Sequence, residues 1–510
     1  MEFPFALVGD LFLQNLGLWW IILPATLIGI VVGILPGFGA QNTLLMLLPL
    51  TLSMDVNSAL AFMIALYCAT QLGGGVPAIL FNMPGEGGAA ATAIDGYPMT
   101  RKGKAQQALV LCFTSSVLAG LITTAITIVT LPLLAQLSYV IRSVEMIAFM
   151  VLGLTLIAAI ASRDMLKGLI AGFFGLMVGA IGADPIFGTP RATFDFPQLY
   201  DGVPLIAALI GLFGISEALV MLEEDSVVRK KDQSAARRAS WLDTLDGLRL
   251  TIKHWWQIAW TSLIGLVIGI LPGAGATVAA FIAYHYSKLF SKSPDEYGKG
   301  HPCGVIAPES ANNGVTSGTL VPVMALGIPG GATGAVMMIV LAYNGVIFGP
   351  RLFNDNPEIA YGVFVQMFVA YLLMLILIVP LARYMSRVVW VPTRFLVPLI
   401  LSMIAIAAFS EREYIFDIGV ALVFGVIGYV ARKTNYEVTA LLIGVLMGPL
   451  FESYLLRSLR VGQGDPMILF SSPIANVIWV LALASAVLPV VRARRKNGVL
   501  AQAAMAGNDD

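Results

Sequence analysis

Long apolar stretches follow one another from residue 16 to residue 491, and this limits the possible folds more than any other feature. Eleven run almost unbroken: 16–35, 108–134, 144–161, 166–181, 203–222, 258–271, 360–381, 395–409, 415–430, 439–450 and 467–491. A helix crosses a bilayer with about 20 mostly apolar residues, so these stretches predict about 10–14 crossings. Composition agrees. Hydrophobic residues make up 58% of the 510 and charged residues 12%, where soluble chains carry about a quarter charged. One soluble core could not bury that much apolar surface, and a disordered chain needs the opposite balance. The reading is an all-α polytopic membrane protein.

Other classes fall away on charge and cysteine. The formal net charge is zero, so no basic field exists for nucleic acid. Cys68, Cys112 and Cys303 are too far apart for a disulfide framework or a metal knuckle. The first ten residues contain no Lys or Arg; they lack the n-region of a secretory signal, and the first helix is expected to direct insertion.

Cations give an orientation. If the loop from Arg229 to Lys253, with seven Lys and Arg, is cytoplasmic, alternation outward puts 24 cations inside. Only Arg142, Arg191, Arg351, Arg412, Arg457 and Arg460 then lie outside. Such asymmetry follows the positive-inside rule. It predicts a cytoplasmic C-terminus and an external N-terminus.

Four further apolar stretches, 36–52, 58–96, 272–289 and 303–348, are broken by Gly and Pro and do not read as plain helices. They contain a repeat. Gly33-Ile-Leu-Pro-Gly-Phe-Gly-Ala40 recurs as Gly269-Ile-Leu-Pro-Gly-Ala-Gly-Ala276, 236 residues on. Pro77-Ala-Ile-Leu-Phe-Asn-Met-Pro-Gly85 recurs as Pro322-Val-Met-Ala-Leu-Gly-Ile-Pro-Gly330, 245 residues on. Arg101–Lys104 follows the second motif of the first half and reads inside, whereas Arg351 follows its counterpart and reads outside. Two inverted-topology repeats with broken helices or re-entrant hairpins result, a plan common in secondary transporters. The expected organisation is 1–222 first repeat, 223–256 charged cytoplasmic linker, 257–491 second repeat and 492–510 cytoplasmic tail.

Broken helices persist at membrane depth only where protein or a water-filled cavity satisfies the freed backbone. A half-helix starting at Gly39-Ala40, Gly275-Ala276, Gly85 or Gly330 offers free N–H groups and a positive dipole end, which suits a carboxylate. Unwound carbonyls suit Na⁺. Polar neighbours complete the expected substrate site: Gly39, Ala40, Asn42, Thr43, Asn82, Gly85, Gly275, Ala276, Asn313 and Gly330. Thr43, Asn313 and Thr316 form an expected Na⁺ site, oxygen-rich and nearly free of charge. Gln41, Glu86, Thr92, Thr277, Asn312, Ser317, Thr319 and Thr333 lie near the same breaks. Glu309 is the coupling candidate, with an interfacial or capping carboxylate as the alternative. Glu86 reads as a helix cap and Asp95, before Gly96-Tyr-Pro98, as a turn residue.

Nothing suggests an enzyme. His254, His285 and His301 show no metal spacing, and no GxSxG, HExxH or P-loop occurs. Without a nucleotide motif, an ion gradient is the expected energy source. No covalently bound cofactor is expected.

The motifs together resemble a known family. They are the two Leu-Pro-Gly-x-Gly-Ala copies, Asn82-Met-Pro-Gly85 running to Ala93-Ile-Asp-Gly-Tyr-Pro-Met99, Gly182-Ala-Asp-Pro185 with Gly211-Leu-Phe-Gly-Ile-Ser-Glu217, and Pro308-Glu-Ser-Ala-Asn-Asn313 with Leu326-Gly-Ile-Pro-Gly330. Over about residues 10–490 the chain resembles the large membrane subunit of the tripartite tricarboxylate transporters. The resemblance implies binding-protein-dependent uptake of a di- or tricarboxylate, or a related organic anion, across a bacterial inner membrane. It implies symport with Na⁺ or H⁺, an elevator-like movement, a small four-helix membrane subunit and a periplasmic solute-binding protein. Asn344-Gly345 departs from the His-Gly often found before the equivalent of Phe348-Gly-Pro350. The alternative function is a carboxylate exporter or antiporter working alone.

Overall fold

An apolar segment that meets no water must pair its own N–H and C=O groups, and the helix does this within one segment. A computed structural model shows the apolar stretches in that form. It describes residues 3–35, 39–137, 141–161, 165–183, 188–223, 241–349, 352–384 and 412–487, with positions 398, 401, 402, 405, 406, 408 and 409. Outside the described residues lie 36–38 of the first Leu-Pro-Gly motif, Asp184-Pro185, the core of the charged linker, most of the expected span 395–409, and the C-terminal tail.

The first half runs through α1 (Phe5–Gly17), α2 (Trp19–Gly33), α3 (Ala40–Leu47), α4 (Val56–Gly73), α5 (Gly75–Phe81), α6 (Ala90–Arg101), α7 (Ala105–Leu137), α8 (Ser143–Ala161) and α9 (Met165–Gly179). A two-residue antiparallel pairing, β1 (Gly182–Ala183) with β2 (Pro190–Arg191), precedes α10 (Leu205–Leu209). A π-turn over Ile210–Ile215 joins α10 to α11 (Ser216–Glu223). The second half runs through α12 (Trp241–Lys253), α13 (Trp255–Ile270), α14 (Gly275–Leu289), α15 (Cys303–Leu326), α16 (Ala332–Tyr343), α17 (Leu352–Asp355), α18 (Pro357–Tyr384), α19 (Ile415–Lys433), α20 (Val438–Val461) and α21 (Pro473–Val487).

Among the described residues, five helices are long and apolar enough to span a bilayer. They become six if α1 and α2, bent by 70° at Leu18, count as one. Shorter apolar helices, of 10–17 residues, cover 143–158, 165–179, 205–220, 255–270, 332–343 and 473–487. Two stretches are more continuous than the sequence suggests. Val56–Phe81 is an apolar span of 26 residues, and α15 runs for 24 residues through Pro308 and Pro322.

The chain divides into two compact units, each drawing on both halves. One is built from 1–139 and 204–430, the other from 140–203 and 431–510. In the first, α2 packs along α4 and α13 along α15, with glycine at both contacts. A Cβ on Gly73 would stand 2.6 Å from Ile30 O and 3.0 Å from Gly33 Cα. On Gly318 it would stand 2.5 Å from Leu266 O and 3.0 Å from Gly269 Cα. These contacts correspond through the repeat offsets. Without a hydrophobic drive inside lipid, such backbone approach supplies the packing energy.

The halves also exchange helices. Helix α1 lies against α18 of the second half, and α12 lies against α7 of the first. The 236-residue offset carries Phe5–Gly17 onto Trp241–Lys253, so the helix equivalent to α1 occupies the end of the segment expected to be linker. In the second unit α9 packs on α20, with Gly179 against Val445 O and Gly448 Cα. Arg191 there makes a two-pronged pair with Glu452 at 2.6 and 2.8 Å.

Candidate functional site

The first unit holds all four helix breaks, and their backbones match in pairs. Helix α5 ends on Asn82 in the left-handed conformation (φ 58°), and α15 ends on Gly327 (φ 65°), its equivalent. At both, the next N–H reaches back to a proline carbonyl, Met83 to Pro77 and Ile328 to Pro322. This closure favours glycine or asparagine. It explains Asn82, whose exposed side chain makes no hydrogen bond among the described residues. Beyond each cap, Pro-Gly returns to the first motif of its own half. Gly85 packs on Gly33 O and donates to Gly74 O at 3.1 Å, while Gly330 O accepts from Gly273 N at 2.6 Å.

New helices start at the expected breaks. Gly39, extended, precedes α3, whose first residue is Ala40. Helix α14 begins at Gly275-Ala276, with Gly275 at φ 64°. After Gly85 a short turn over Gly87–Ala89 leads into α6, and after Gly330 the chain enters α16. The starts then meet across the halves. Thr333 in the first turn of α16 donates to Gln41 Oε1 in the first turn of α3, at 3.3 Å. Thr277, equivalent to Gln41, puts its hydroxyl where a side chain on Gly87 would begin. Two cross-half pairs of helix N-termini result, α3 with α16 and α14 with the start of α6.

Helix α15 supplies most of the polar side chains, and its neighbours sort them by face. Asn312 donates to Glu86 Oε1 at 2.8 Å. Gln71, with its amide nitrogen turned toward Glu86 as its neighbours require, donates to the same carboxylate. Glu86 makes no capping bond to its own helix, which corrects the capping expectation. Glu309, fully buried, accepts from Thr92 Oγ1 at 2.7 Å and Ser116 Oγ at 2.9 Å. Both donors are neutral. Lying within α15, whose N-cap is Pro302, Glu309 does not cap that helix.

The expected Na⁺ ligands are not gathered in one place by hydrogen bonding. Thr43 bonds back to Gly39 O at 3.2 Å. Thr316 Oγ1 lies 2.8 Å from Tyr371 Oη, which reaches Asn313 Oδ1 at 3.5 Å. Asn42 is 2% exposed, and neither atom of its amide has a partner. Tyr371 was absent from the sequence expectations. It is one of two tyrosines, with Tyr361, in the apolar stretch 360–381, and Gly120 makes room for its ring.

Asp95 is not a turn residue. It lies within α6, fully buried. Its Oδ1 accepts N–H bonds from Gly298, Gly300 and His301 at 2.9, 2.7 and 2.7 Å, and its Oδ2 accepts from Tyr284 at 2.9 Å. It fastens α6 to the second half. His301, in that loop, has its imidazole pKa lowered chiefly by burial.

The chain matches the family model described as the tripartite tricarboxylate transporter TctA family over residues 18–443. It is similar to an Agrobacterium vitis protein described as an uncharacterized 52.8 kDa protein in the TAR-I ttuC' 3' region. The two are 34% identical over 473 residues, 92% of this chain and 93% of the relative. A second Agrobacterium vitis protein, described as uncharacterized and in the TAR-II ttuC' 3' region, is 33% identical over 234 residues, 45% of this chain and 97% of its own. No solved structure matches. With the match covering most of the chain and an all-α architecture rich in apolar helices, this protein belongs to the TctA family of tripartite tricarboxylate transporters.

Proposed function

We propose that this chain is the permease subunit of a binding-protein-dependent secondary transporter that imports a di- or tricarboxylate, or a related organic anion, by cation symport. The observation carrying this reading is the meeting of half-helix N-termini from opposite halves, Gln41 with Thr333 and Gly87 with Thr277. Each terminus presents a partial positive charge of roughly half an elementary charge. Two of them can hold a carboxylate without a buried Lys or Arg. Gly39, Ala40, Gly85, Gly275, Ala276 and Gly330 supply backbone there, and Asn42 supplies an amide with unused bonding capacity.

An inside-negative potential opposes entry of an anion by about 2.3 kcal/mol per charge per 100 mV. Co-transported cations offset this, Na⁺ in the primary reading and H⁺ in the alternative. Glu309 is the coupling carboxylate, and Asn313 and Thr316 with Tyr371 offer oxygens for Na⁺. The assembly sits in the inner membrane, N-terminus periplasmic and C-terminus cytoplasmic. It works with a small four-helix membrane subunit and a periplasmic binding protein. A transport domain carries the substrate across in an elevator-like step.

Proteoliposomes with all three components and a radiolabelled carboxylate panel that includes citrate test this. Uptake should require an inward Na⁺ gradient and loaded binding protein. Uptake with a pH gradient alone would replace Na⁺ by H⁺. Rapid uptake by this chain alone would overturn the tripartite reading.

A further inference from the structure

Glu86 stands outside the coupling role given to Glu309, and the repeat indicates what it is not needed for. Its equivalent after Pro329-Gly330 is Gly331, which makes the same break with no side chain. Glu309 is likewise matched by Ile64. Neither carboxylate is demanded by the backbone plan, and Glu86 does not cap its helix.

We propose that Glu86 is a second cation-binding carboxylate, set beside Glu309 at the Gly74-Gly75 junction of α4 and α5 and taking a proton or Na⁺ with the amides of Gln71 and Asn312. This rests on the symport reading above. A Cβ on Gly74 would meet Glu86 Cγ at 2.7 Å, and one on Gly75 would meet Glu309 Oε1 at 2.9 Å. The two carboxylates therefore flank consecutive glycines. Asn312, one turn from Glu309 on α15, binds Glu86 and keeps its own Oδ1 buried and without a partner. Gln71, 4% exposed, converges on the same carboxylate. One carboxylate and two amide groups form an oxygen-bearing set of the kind Na⁺ takes, and amide rotation exchanges donor for acceptor.

Charge balance gives the set a purpose. The titratable groups facing the pair are Tyr67 for Glu86, Cys112 for Glu309, and the two carboxylates themselves. No Lys, Arg or His among the described residues bonds either carboxylate, and the bonded donors are all neutral. Two like charges at membrane depth without a cation are costly. The carboxylates also differ in access. Glu309 is sealed, whereas Glu86 is half-buried beside the exposed Pro84 and Gly87. A cation can reach Glu86 from the side of Pro84 and Gly87, and the cycle would then carry two cations.

The test needs no knowledge of the substrate. The chain in liposomes is titrated with acid alone, then with NaCl at fixed alkaline pH, while carboxyl infrared absorption is followed. Subtracting the Glu86→Gln or the Glu309→Gln spectrum from that of the wild type should in each case leave one responding carboxyl group. A protonated carboxyl band in the acid arm identifies H⁺, and a shift of the carboxylate stretch in the NaCl arm identifies Na⁺. A Glu86→Gln spectrum matching wild type in both arms would overturn the proposal. In the complete assembly with citrate, Glu86→Gln should lower the cation-to-substrate ratio by one while retaining exchange, and Glu86→Asp should restore the ratio. An unchanged ratio would also overturn it. If the wild-type assembly moves no carboxylate while both infrared responses persist, the transport reading fails and the cation site stands.

Discussion

Thr92 Oγ1 stands 2.7 Å from Glu309 Oε1 and joins residues 217 positions apart. It brings α6 of the first half onto the carboxylate of α15 in the second. Glu309 is fully buried with two hydroxyl donors, Thr92 and Ser116. A hydrogen bond to a charged group contributes about 1.5–3 kcal/mol.

Thr92→Val and Ser116→Ala should therefore each lower stability by about 1–3 kcal/mol while Glu309 is ionised. Glu309→Gln, which removes the charge and keeps the shape, should cost less stability yet abolish net uptake. Detergent unfolding and proteoliposome uptake, measured on the same preparations, check both. Wild-type uptake by Glu309→Gln would remove it from the coupling role.

Asp95→Ala strips three backbone N–H groups and the Tyr284 hydroxyl of their acceptor. Each buried donor left without a partner costs about 1–3 kcal/mol, so expression and thermal stability should fall markedly. Asp95→Asn keeps an acceptor oxygen and should fall less. Equal behaviour of the two variants would show that the bonds to Gly298, Gly300 and His301 matter little.

Asn42→Ala should abolish uptake with near-normal stability, because its buried amide forms no bond that the fold depends on. Asn313→Ala should also abolish uptake, with Tyr371→Phe raising the Na⁺ concentration needed by several-fold. Normal transport by both Asn variants would sink this assignment of the site. The readouts are initial uptake rates across a Na⁺ series, with size-exclusion profiles for folding.

Single cysteines at Asn57 and Asp355, both exposed, should label from outside. Those at Lys104 and Lys292, also exposed, should label only after permeabilisation. The native cysteines are buried and keep the background low. Labelling of Lys104 and Asp355 from one side would contradict the inverted repeat.

The sequence by itself determined the helical membrane class, the four helix starts and the correspondence between halves. These depend on local chemistry: apolar length, and Pro or Gly where a helix must stop. Asn82 and Gly327 show this well, since each is a residue type that tolerates the left-handed cap at its position. Tertiary structure alone decided which polar groups meet. Asn312 and Asn313 are adjacent in sequence, yet one faces Glu86 and the other Tyr371, because neighbours on a helix point about 100° apart. Asp95 looked like a turn residue until the loop at 298–301 supplied its partners, some 200 residues away. Partners so distant leave no periodic trace in the chain, because burial and packing bring them together only once α6, α14 and α15 have assembled.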